Sequence, residues 1–332
     1  MKPRFIFVLD AVHFPALFGN KELDRLRQLV DLDASPVSAA ELGAAGNRFE
    51  AVEGIISSWG MPELSPDLLK SLPRLRAVFH AAGTVKCIAT QASWARGIRI
   101  SSAASENAKP TAEFAFAQII LSLKRAWARM FDLRERQAYN QNDPLMPGCY
   151  GSTVALLSLG KIGRLVARHL ATLDVRVVAY DPMVAPAEAA ALNVTLCSLD
   201  EAFAQADVVS CHTPLMPQTT GLLGRKQFAA MKPGATFINT ARGALVRENE
   251  MAEVLRARPD LCAVLDVTDP EPPAPDSPLL GLPNVVLTPH IAGSMGPECR
   301  RLGIMMVEEV ERYLAGQPLR GEVQQRQLEL IA

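Results

Sequence analysis

The feature that most constrains the fold is the stretch TVALLSLGKIGRLVARHLATLDVRVVAYDP, which extends from Thr153 to Pro182. It begins with a continuous apolar run, passes through a glycine-containing turn into a segment with helical spacing, and ends with a second apolar run. Buried strands of parallel sheets have continuous apolar sequences of this kind. The stretch therefore predicts a strand, a helix and a second, parallel strand in that order.

Similar apolar runs occur on both sides of this stretch. The predicted strands before it are FIFVL, EGIIS, LRAVFH and IRIS, separated by the predicted helical or turn segments KELDRLRQLV and SPDLLKSL. The predicted strands after it are DVVSCHT, ATFINT, LCAVLDV and VVLT. This alternation predicts an α/β protein, and 332 residues is a usual length for two domains.

Two longer helices are predicted as well. The first extends from Thr111 to Gln137, with Asn107 and Pro110 just before its start. Its apolar residues form more than a narrow stripe, so we expect it to bridge the domains or to contact a second subunit. The other helix, PECRRLGIMMVEEVERYLAG, is predicted to end at Gly316.

The turn in the central stretch lacks one glycine of the dinucleotide-binding pattern G-x-G-x-x-G. Gly160 lets the backbone approach a pyrophosphate, and Gly163 lets the helix pack against the strand. The amides of Lys161 and Ile162 lie at the positive end of that helix. Ser158 replaces the first glycine, and serine suits the turn if its backbone stays out of the left-handed region. The alternative is a plain strand–helix–strand unit with chance glycines.

An acidic residue supports the dinucleotide interpretation. Asp181 follows Gly163 by 18 residues and ends the next predicted strand, where an acid binds the ribose hydroxyls of adenosine. A carboxylate there repels a 2′-phosphate, and Pro182 and Met183 supply no cation to offset it. The sequence therefore predicts NAD rather than NADP.

Composition argues against several other classes of partner. The chain has 34 basic and 35 acidic residues and no Lys/Arg block, so neither a nucleic acid nor an acidic membrane surface is expected as a partner. Its six cysteines show no metal-ligand spacing, and we expect no metal. No window has the apolar length of a membrane span, and MKPRFIFVLD lacks the core of a signal peptide, so we expect a cytoplasmic protein.

Four further motifs follow the turn: HTPLMPQTTGLL, FINTARGALV, LDVTDPEPP and LTPHIAG, which begin at residues 212, 237, 265 and 287. With the turn, they closely resemble the NAD-dependent D-isomer-specific 2-hydroxyacid dehydrogenases, over about residues 150–295. The resemblance implies two doubly wound parallel-sheet domains. A Rossmann NAD-binding domain, residues 104–292, is inserted in a flavodoxin-like substrate-binding (catalytic) domain, residues 1–103 and 293–332. It also implies a homodimer.

The resemblance implies roles for individual residues. Arg242 matches the arginine that holds the substrate carboxylate and carbonyl, Glu271 the acid that partners the catalytic histidine, and His290 that histidine. Asp266 matches the residue that contacts the nicotinamide carboxamide. Further NAD contacts are expected at Thr111, His212, Thr213, Thr240 and Ala241.

The chemistry of these residue types agrees with the implied roles. Imidazole is a suitable proton donor near neutral pH, and an adjacent carboxylate favours its charged form and orients the ring. A guanidinium offers paired donors to a carboxylate. Taken singly, Arg242 suits a surface ion pair, Glu271 a solvated loop acid and His290 a structural histidine; their order along the chain favours catalysis.

The substrate segment departs from the family pattern. In HAAGTVKCI, the backbone amides of Ala82, Gly83 and Thr84 are expected to meet the substrate carboxylate, and Asn107 matches a position near substrate and nicotinamide. The family commonly has Asp-Asn where Lys86 and Cys87 stand. Lys86 either recruits a second anionic group of the substrate or is a solvated lysine on the following helix, so the substrate stays open.

Three functions remain for such a chain. The first is an NAD(H)-dependent oxidoreductase that interconverts a small 2-keto acid and a D-2-hydroxy acid, with His290 as acid and base. The second is an NAD-sensing binding protein similar to the family's corepressors. The third is a formate or phosphite dehydrogenase; formate enzymes tend to carry glutamine where Glu271 stands, which disfavours it.

Overall fold

The computed structural model describes residues 2–44, 46–139 and 141–328. The chain divides into two compact units. The first comprises Met1–Ala108 and Ser294–Ile331, and the second comprises Lys109–Gly293. The sequence-based boundaries were placed after residues 103 and 292, and residues 329–332 of the predicted outer domain lie outside the described residues.

Strands in the described part of the chain belong to two sheets. They are β1 (Arg4–Val8), β2 (Asp31–Val37), β3 (Val52–Ser57), β4 (Ala77–His80), β5 (Arg99–Ser102), β6 (Tyr150–Leu157), β7 (Asp174–Tyr180), β8 (Val194–Leu196), β9 (Val208–Cys211), β10 (Thr236–Asn239), β11 (Cys262–Leu265), β12 (Val285–Leu287) and β13 (Glu322–Val323).

The sheet of the first unit has the order β2-β1-β3-β4-β5-β13. Its pairs are parallel except that β13 is antiparallel to β5. The first five strands follow the flavodoxin-like order. The sheet of the second unit has the order β8-β7-β6-β9-β10-β11-β12 and is entirely parallel, which is the Rossmann order with an added edge strand. The predicted fold class is confirmed.

Helices connect these strands. The α-helices are α1 (Phe14–Leu17), α2 (Asn20–Leu29), α3 (Ala39–Gly43), α4 (Pro66–Ser71), α5 (Gln91–Ala95), α6 (Ala104–Leu123), α7 (Ala126–Arg136), α8 (Lys161–Leu170), α9 (Pro186–Ala190), α10 (Leu199–Gln205), α11 (Arg225–Ala229), α12 (Glu248–Ala257) and α13 (Cys299–Leu314). Short 3-10 helices span Ala11–His13, Gly46–Phe49, Gly243–Leu245, Pro278–Gly281, Gly296–Glu298 and Gln325–Gln327. No helix in the described ranges is both long and apolar enough to cross a membrane.

Each sheet is covered by apolar side chains on both faces. Along β1, Phe7 and Ile6 belong to two different hydrophobic clusters. Along β6, Leu157 and Leu156 are divided in the same way. Because successive side chains of a strand point to opposite faces, both sheets have a core on each side, as continuous apolar strands require.

The prediction of one helix over residues 111–137 was wrong. Helix α6 begins earlier, so Asn107 and Pro110 lie inside it, and a break separates it from α7. Burial of Ala108, Ala112 and the following apolar residues offsets the roughly 3 kcal/mol that an internal proline costs. The break occurs at Arg125, which adopts a left-handed conformation with φ of 47°. Its buried guanidinium donates to Asp143 and to two backbone carbonyls.

Candidate active site and dinucleotide site

Except for Thr111 in α6, the predicted site residues of the second unit lie at one edge of its sheet. Asp181 follows β7, His212 follows β9, Thr240 follows β10 and Asp266 follows β11, while His290 lies three residues beyond β12. Because these strands are parallel, their carboxyl ends share one edge. The strand order reverses between β6 and β9, and ligands of open α/β sheets bind at such a reversal.

Ser158 has an unexpected backbone conformation. Its φ is 78°, in the left-handed region, so the condition under which serine readily suits this turn is not met. Its N–H donates to the carbonyl of Tyr180 at 2.8 Å, and its own carbonyl lies 2.1 Å from where a Cβ on Gly163 would be. The turn between β6 and α8 thus holds Ser158 in a left-handed conformation that normally favours glycine, although Ser158 carries a side chain.

The remainder of the turn leaves room for a ligand. Gly160 is extended, and α8 begins at Lys161, which is followed by Ile162. A Cβ built on Gly160 would meet only the hydroxyl oxygen of Ser158, at 4.0 Å. The backbone amides at the start of α8 are therefore accessible to an anionic group, which suits a pyrophosphate.

The carboxylate of Asp181 is held by the turn. Its Oδ2 accepts hydrogen bonds from the amide of Leu159 at 2.8 Å and from the hydroxyl of Ser158 at 3.2 Å. Its Oδ1 accepts one from the amide of Met183 at 2.9 Å. Because a carboxylate has about four acceptor positions, capacity remains for a ribose hydroxyl.

Two buried polar atoms at this edge have no hydrogen-bond partner within the described residues: Nδ1 of His212 and Oγ1 of Thr240. The other ring nitrogen of His212 lies 3.1 Å from the hydroxyl of Ser210, and burial lowers the pKa of His212 to about 4, so its ring is neutral. The hydroxyl of Thr213 donates to the carbonyl of Leu157 at 3.3 Å. Because buried polar groups normally have partners, these atoms suit contacts with a bound ligand. The residues at this edge therefore fit a dinucleotide.

Arg242 lies in a turn shaped by Asn239. The side chain of Asn239 accepts from the amide of Ala241 and donates to the carbonyl of Arg242, both at 2.9 Å. Arg242 is partly buried, and burial lowers the pKa of its guanidinium while Glu271 raises it. Its Nη1 donates to the carbonyl of Ala241 at 2.7 Å. Asn239 was not predicted from the sequence, although an asparagine two residues before a turn amide is a recognisable signal.

Glu271 and His290 are in direct contact. Nδ1 of His290 lies 2.5 Å from Oε1 of Glu271, and both side chains are half-exposed. A cavity of about 450 Å³ lies beside them, lined by Thr268, Leu287 and Pro289 among others. From the sequence, only the family resemblance pairs these two residues.

The loops that carry Arg242 and Glu271 pack closely. A Cβ on Gly243 would lie 2.0 Å from the carbonyl carbon of Thr268, so this contact requires glycine. The guanidinium, the carboxylate and the imidazole thus belong to neighbouring loops of the same sheet edge.

Asp266 has a role that the sequence analysis missed. Its buried carboxylate accepts from the hydroxyl of Thr288 at 2.6 Å and from the amides of Ile291 at 2.9 Å and Ala292 at 2.8 Å. The amide of His290 also donates to the carbonyl of Asp266 at 2.9 Å. Asp266 therefore fixes the loop that carries His290. A buried acid directly after an apolar strand was the available signal.

The predicted substrate segment lies in the first unit. Ala82, Gly83 and Thr84 follow β4, and a Cβ on Gly83 would lie 3.1 Å from the amide nitrogen of the Asn107 side chain. The side-chain oxygen of Asn107 accepts from the amide of Ser294 at 3.0 Å. Asn107 therefore joins the substrate segment to the chain that returns from the second unit.

The structure also places Lys86 and Thr111, and the NAD contact of Thr111 stays a prediction. Lys86 does not lie on a helix but in a turn, because no helix begins until α5, after Thr90. Thr111 is buried within α6. Among the described residues, no group of three or more His, Cys, Asp or Glu side chains could hold a metal ion.

Comparison with known proteins identifies the second unit. Residues 117–292 match the model of the D-isomer specific 2-hydroxyacid dehydrogenase, NAD binding domain. The cofactor of this domain is NAD, as Asp181 predicts.

Relatives and solved structures extend the similarity. D-3-phosphoglycerate dehydrogenase of Mycobacterium tuberculosis is 37% identical over 251 residues, which cover 76% of this chain and 47% of that protein. The chain spans about half the length of the curated relatives it matches.

Two solved structures match nearly the whole chain. The TT0316 protein of Thermus thermophilus is 31% identical with a TM-score of 0.77, covering 96% of this chain and 100% of the other. The NAD-complexed D-isomer specific 2-hydroxyacid dehydrogenase of Lactobacillus delbrueckii is 20% identical with a TM-score of 0.78, covering 97% and 100%. The chain belongs to the D-isomer specific 2-hydroxyacid dehydrogenase family.

Proposed function

We propose that this protein is an NAD(H)-dependent oxidoreductase that interconverts a small 2-keto acid and a D-2-hydroxy acid. The observation that carries the proposal is the contact between His290 and Glu271 at the sheet edge where the dinucleotide turn also lies. Bound NADH supplies the hydride, and the side chains described above supply the proton and the substrate contacts.

His290 is the acid and base of the proposed reaction. Glu271 occupies its Nδ1, which leaves Nε2 as the nitrogen that faces a substrate oxygen. The carboxylate favours the protonated ring and fixes its orientation, so that Nε2 donates a proton as the carbonyl oxygen gains charge. In the reverse direction the neutral ring accepts the proton of the hydroxyl group.

Arg242 is the proposed clamp for the 2-keto acid. One of its terminal nitrogens is bonded to the carbonyl of Ala241, and the remaining donors of the fork are available to a carboxylate. Partial desolvation strengthens such a contact. The amides of Ala82, Gly83 and Thr84 stay a prediction for the substrate carboxylate.

The test is oxidation of NADH by the purified protein with a panel of 2-keto acids. The panel contains glyoxylate, hydroxypyruvate, pyruvate, 2-ketoglutarate and bulkier branched or aromatic keto acids, and the chirality of each product is determined. We expect saturable turnover of at least one member, with a D-hydroxy acid wherever the product is chiral. An L product contradicts the proposal.

The panel also separates the alternatives. Tight NADH binding without turnover of any keto acid supports an NAD-sensing protein of the corepressor type instead. Turnover of formate or phosphite alone supports the third function. A homodimer and a cytoplasmic location stay predictions from the sequence, and sedimentation velocity measures the first of them.

A further inference from the structure

Ser158 combines two properties that a glycine at the same position does not. Its backbone lies in the left-handed region, which costs a residue with a Cβ about 1–2 kcal/mol. Its hydroxyl donates to Oδ2 of Asp181 at 3.2 Å, the oxygen that also accepts from the amide of Leu159. The unfavourable conformation therefore coincides with a contact to the acid that selects the cofactor.

The backbone at Ser158 is fixed independently of its side chain. Its amide is bonded to the carbonyl of Tyr180, and its carbonyl lies against Gly163, where no Cβ would fit. Any residue at position 158 must then adopt the same φ. The hydroxyl does not help to impose this φ, so its contact with Asp181 requires a separate explanation.

The geometry of Asp181 supplies that explanation. An aspartate side chain rotates about two bonds, and ordering it at the moment of binding costs entropy that an already fixed carboxylate avoids. Met183 holds one oxygen of Asp181, and Leu159 and Ser158 hold the other. The arrangement leaves an acceptor position of an already oriented carboxylate for a ribose hydroxyl.

We propose that Ser158 is a positioning residue for cofactor selection, whose hydroxyl holds the Asp181 carboxylate in the orientation that binds the adenosine ribose. The inference rests on the NAD site of the proposed function. It implies that Ser158 increases the affinity for NADH and does not increase the affinity for NADPH, since the Asp181 carboxylate repels a 2′-phosphate.

The experiment compares Ser158→Ala with Ser158→Gly, by fluorescence titration of NADH and NADPH in the absence of any keto acid. Both variants lack the hydroxyl, but only glycine relieves the backbone. We expect both to bind NADH about fivefold more weakly than wild type, the equivalent of one hydrogen bond, and to bind NADPH no more weakly than wild type. Thermal unfolding should differ, with Ser158→Gly about 2 °C more stable than Ser158→Ala.

A double-mutant cycle with Asp181→Ala completes the test. In that background, Ser158→Ala should not change NADH affinity, because the acid that it orients is absent. The inference is wrong if Ser158→Ala binds NADH as tightly as wild type, or if NADH affinity follows the order of thermal stability. This outcome is distinguishable from failure of the proposed function, because in that case the wild-type protein would turn over no keto acid.

Discussion

At the scale of single residues, the site depends on polar contacts that hold each functional group in one orientation. Glu271 orients His290, Asp266 fixes the loop around His290, and Asn239 shapes the turn of Arg242. Glu271 and His290 are half-exposed, and an exposed ion pair adds only about 0–1 kcal/mol to stability. We therefore expect substitutions in this pair to affect catalysis far more than folding.

Glu271→Gln tests the electrostatic part of this arrangement. The variant keeps the size of the side chain but removes the negative charge that favours the protonated ring. We expect kcat/KM for keto acid reduction to fall by at least about tenfold, because a neutral amide no longer stabilises the charged imidazole that donates the proton. Asp276→Asn, at an exposed acid five residues after Glu271, is the control and should leave kcat/KM unchanged. Wild-type kcat/KM in Glu271→Gln would contradict the electrostatic role of this carboxylate.

At the scale of helices and strands, the sequence predicted the central strands and the edge strand β12, but missed the edge strands β2, β8 and β13. The central strands are continuous apolar runs, whereas β2 contains Asp31, Asp33 and Pro36 and pairs only along one side. Edge strands tolerate charges and proline, so they lack the apolar signal. The break before α7 was also unpredictable, because Arg125 is fixed by carbonyls of Gly234 and Asp260, which are distant in sequence.

Gly303→Ala tests a close contact between two helices of the first unit. A Cβ on Gly303 of α13 would lie 1.9 Å from the carbonyl oxygen of Leu17, at the end of α1. Because the carbonyl oxygen belongs to the backbone and a Cβ is fixed directly to its own Cα, neither can rotate away. Helix α1 must therefore move, and we expect a loss of about 1–3 kcal/mol in the free energy of unfolding. Gly43→Ala, which has no atom within 4 Å, should change it by less than about 0.5 kcal/mol. Urea unfolding measures both, and equal stabilities would contradict the contact.

At the scale of the whole molecule, the sequence predicted the fold class, NAD and the order of the site motifs. It did not predict the conformation of Ser158, because a turn pattern does not reveal which φ the packing of Gly163 imposes.

The sequence also did not predict that buried histidines in both units remain neutral. Burial lowers the pKa of His80 and of His212 to about 4, and the hydroxyl of Ser57 lies 2.9 Å from Nδ1 of His80.

These histidines predict acid sensitivity. Between pH 6.5 and about 4, the two histidines bind protons in the unfolded chain but not in the folded chain. The free energy of unfolding is therefore highest above pH 6.5 and falls as the pH is lowered. Each histidine contributes a slope of at most about 1.4 kcal/mol per pH unit. His80→Gln should flatten the slope of unfolding free energy between pH 7 and pH 5. An unchanged slope in His80→Gln would mean that His80 accepts a proton in the folded protein.

The measurement that tests the central claim most directly is the turnover number of His290→Ala with the best keto acid of the wild type. It is made at saturating NADH, with NADH affinity measured on the same samples by fluorescence. We expect NADH affinity to stay near that of the wild type and turnover to fall by about 10²–10⁴-fold, the usual contribution of a positioned proton donor. Turnover close to that of the wild type would contradict the assignment of His290 and with it the proposed active site.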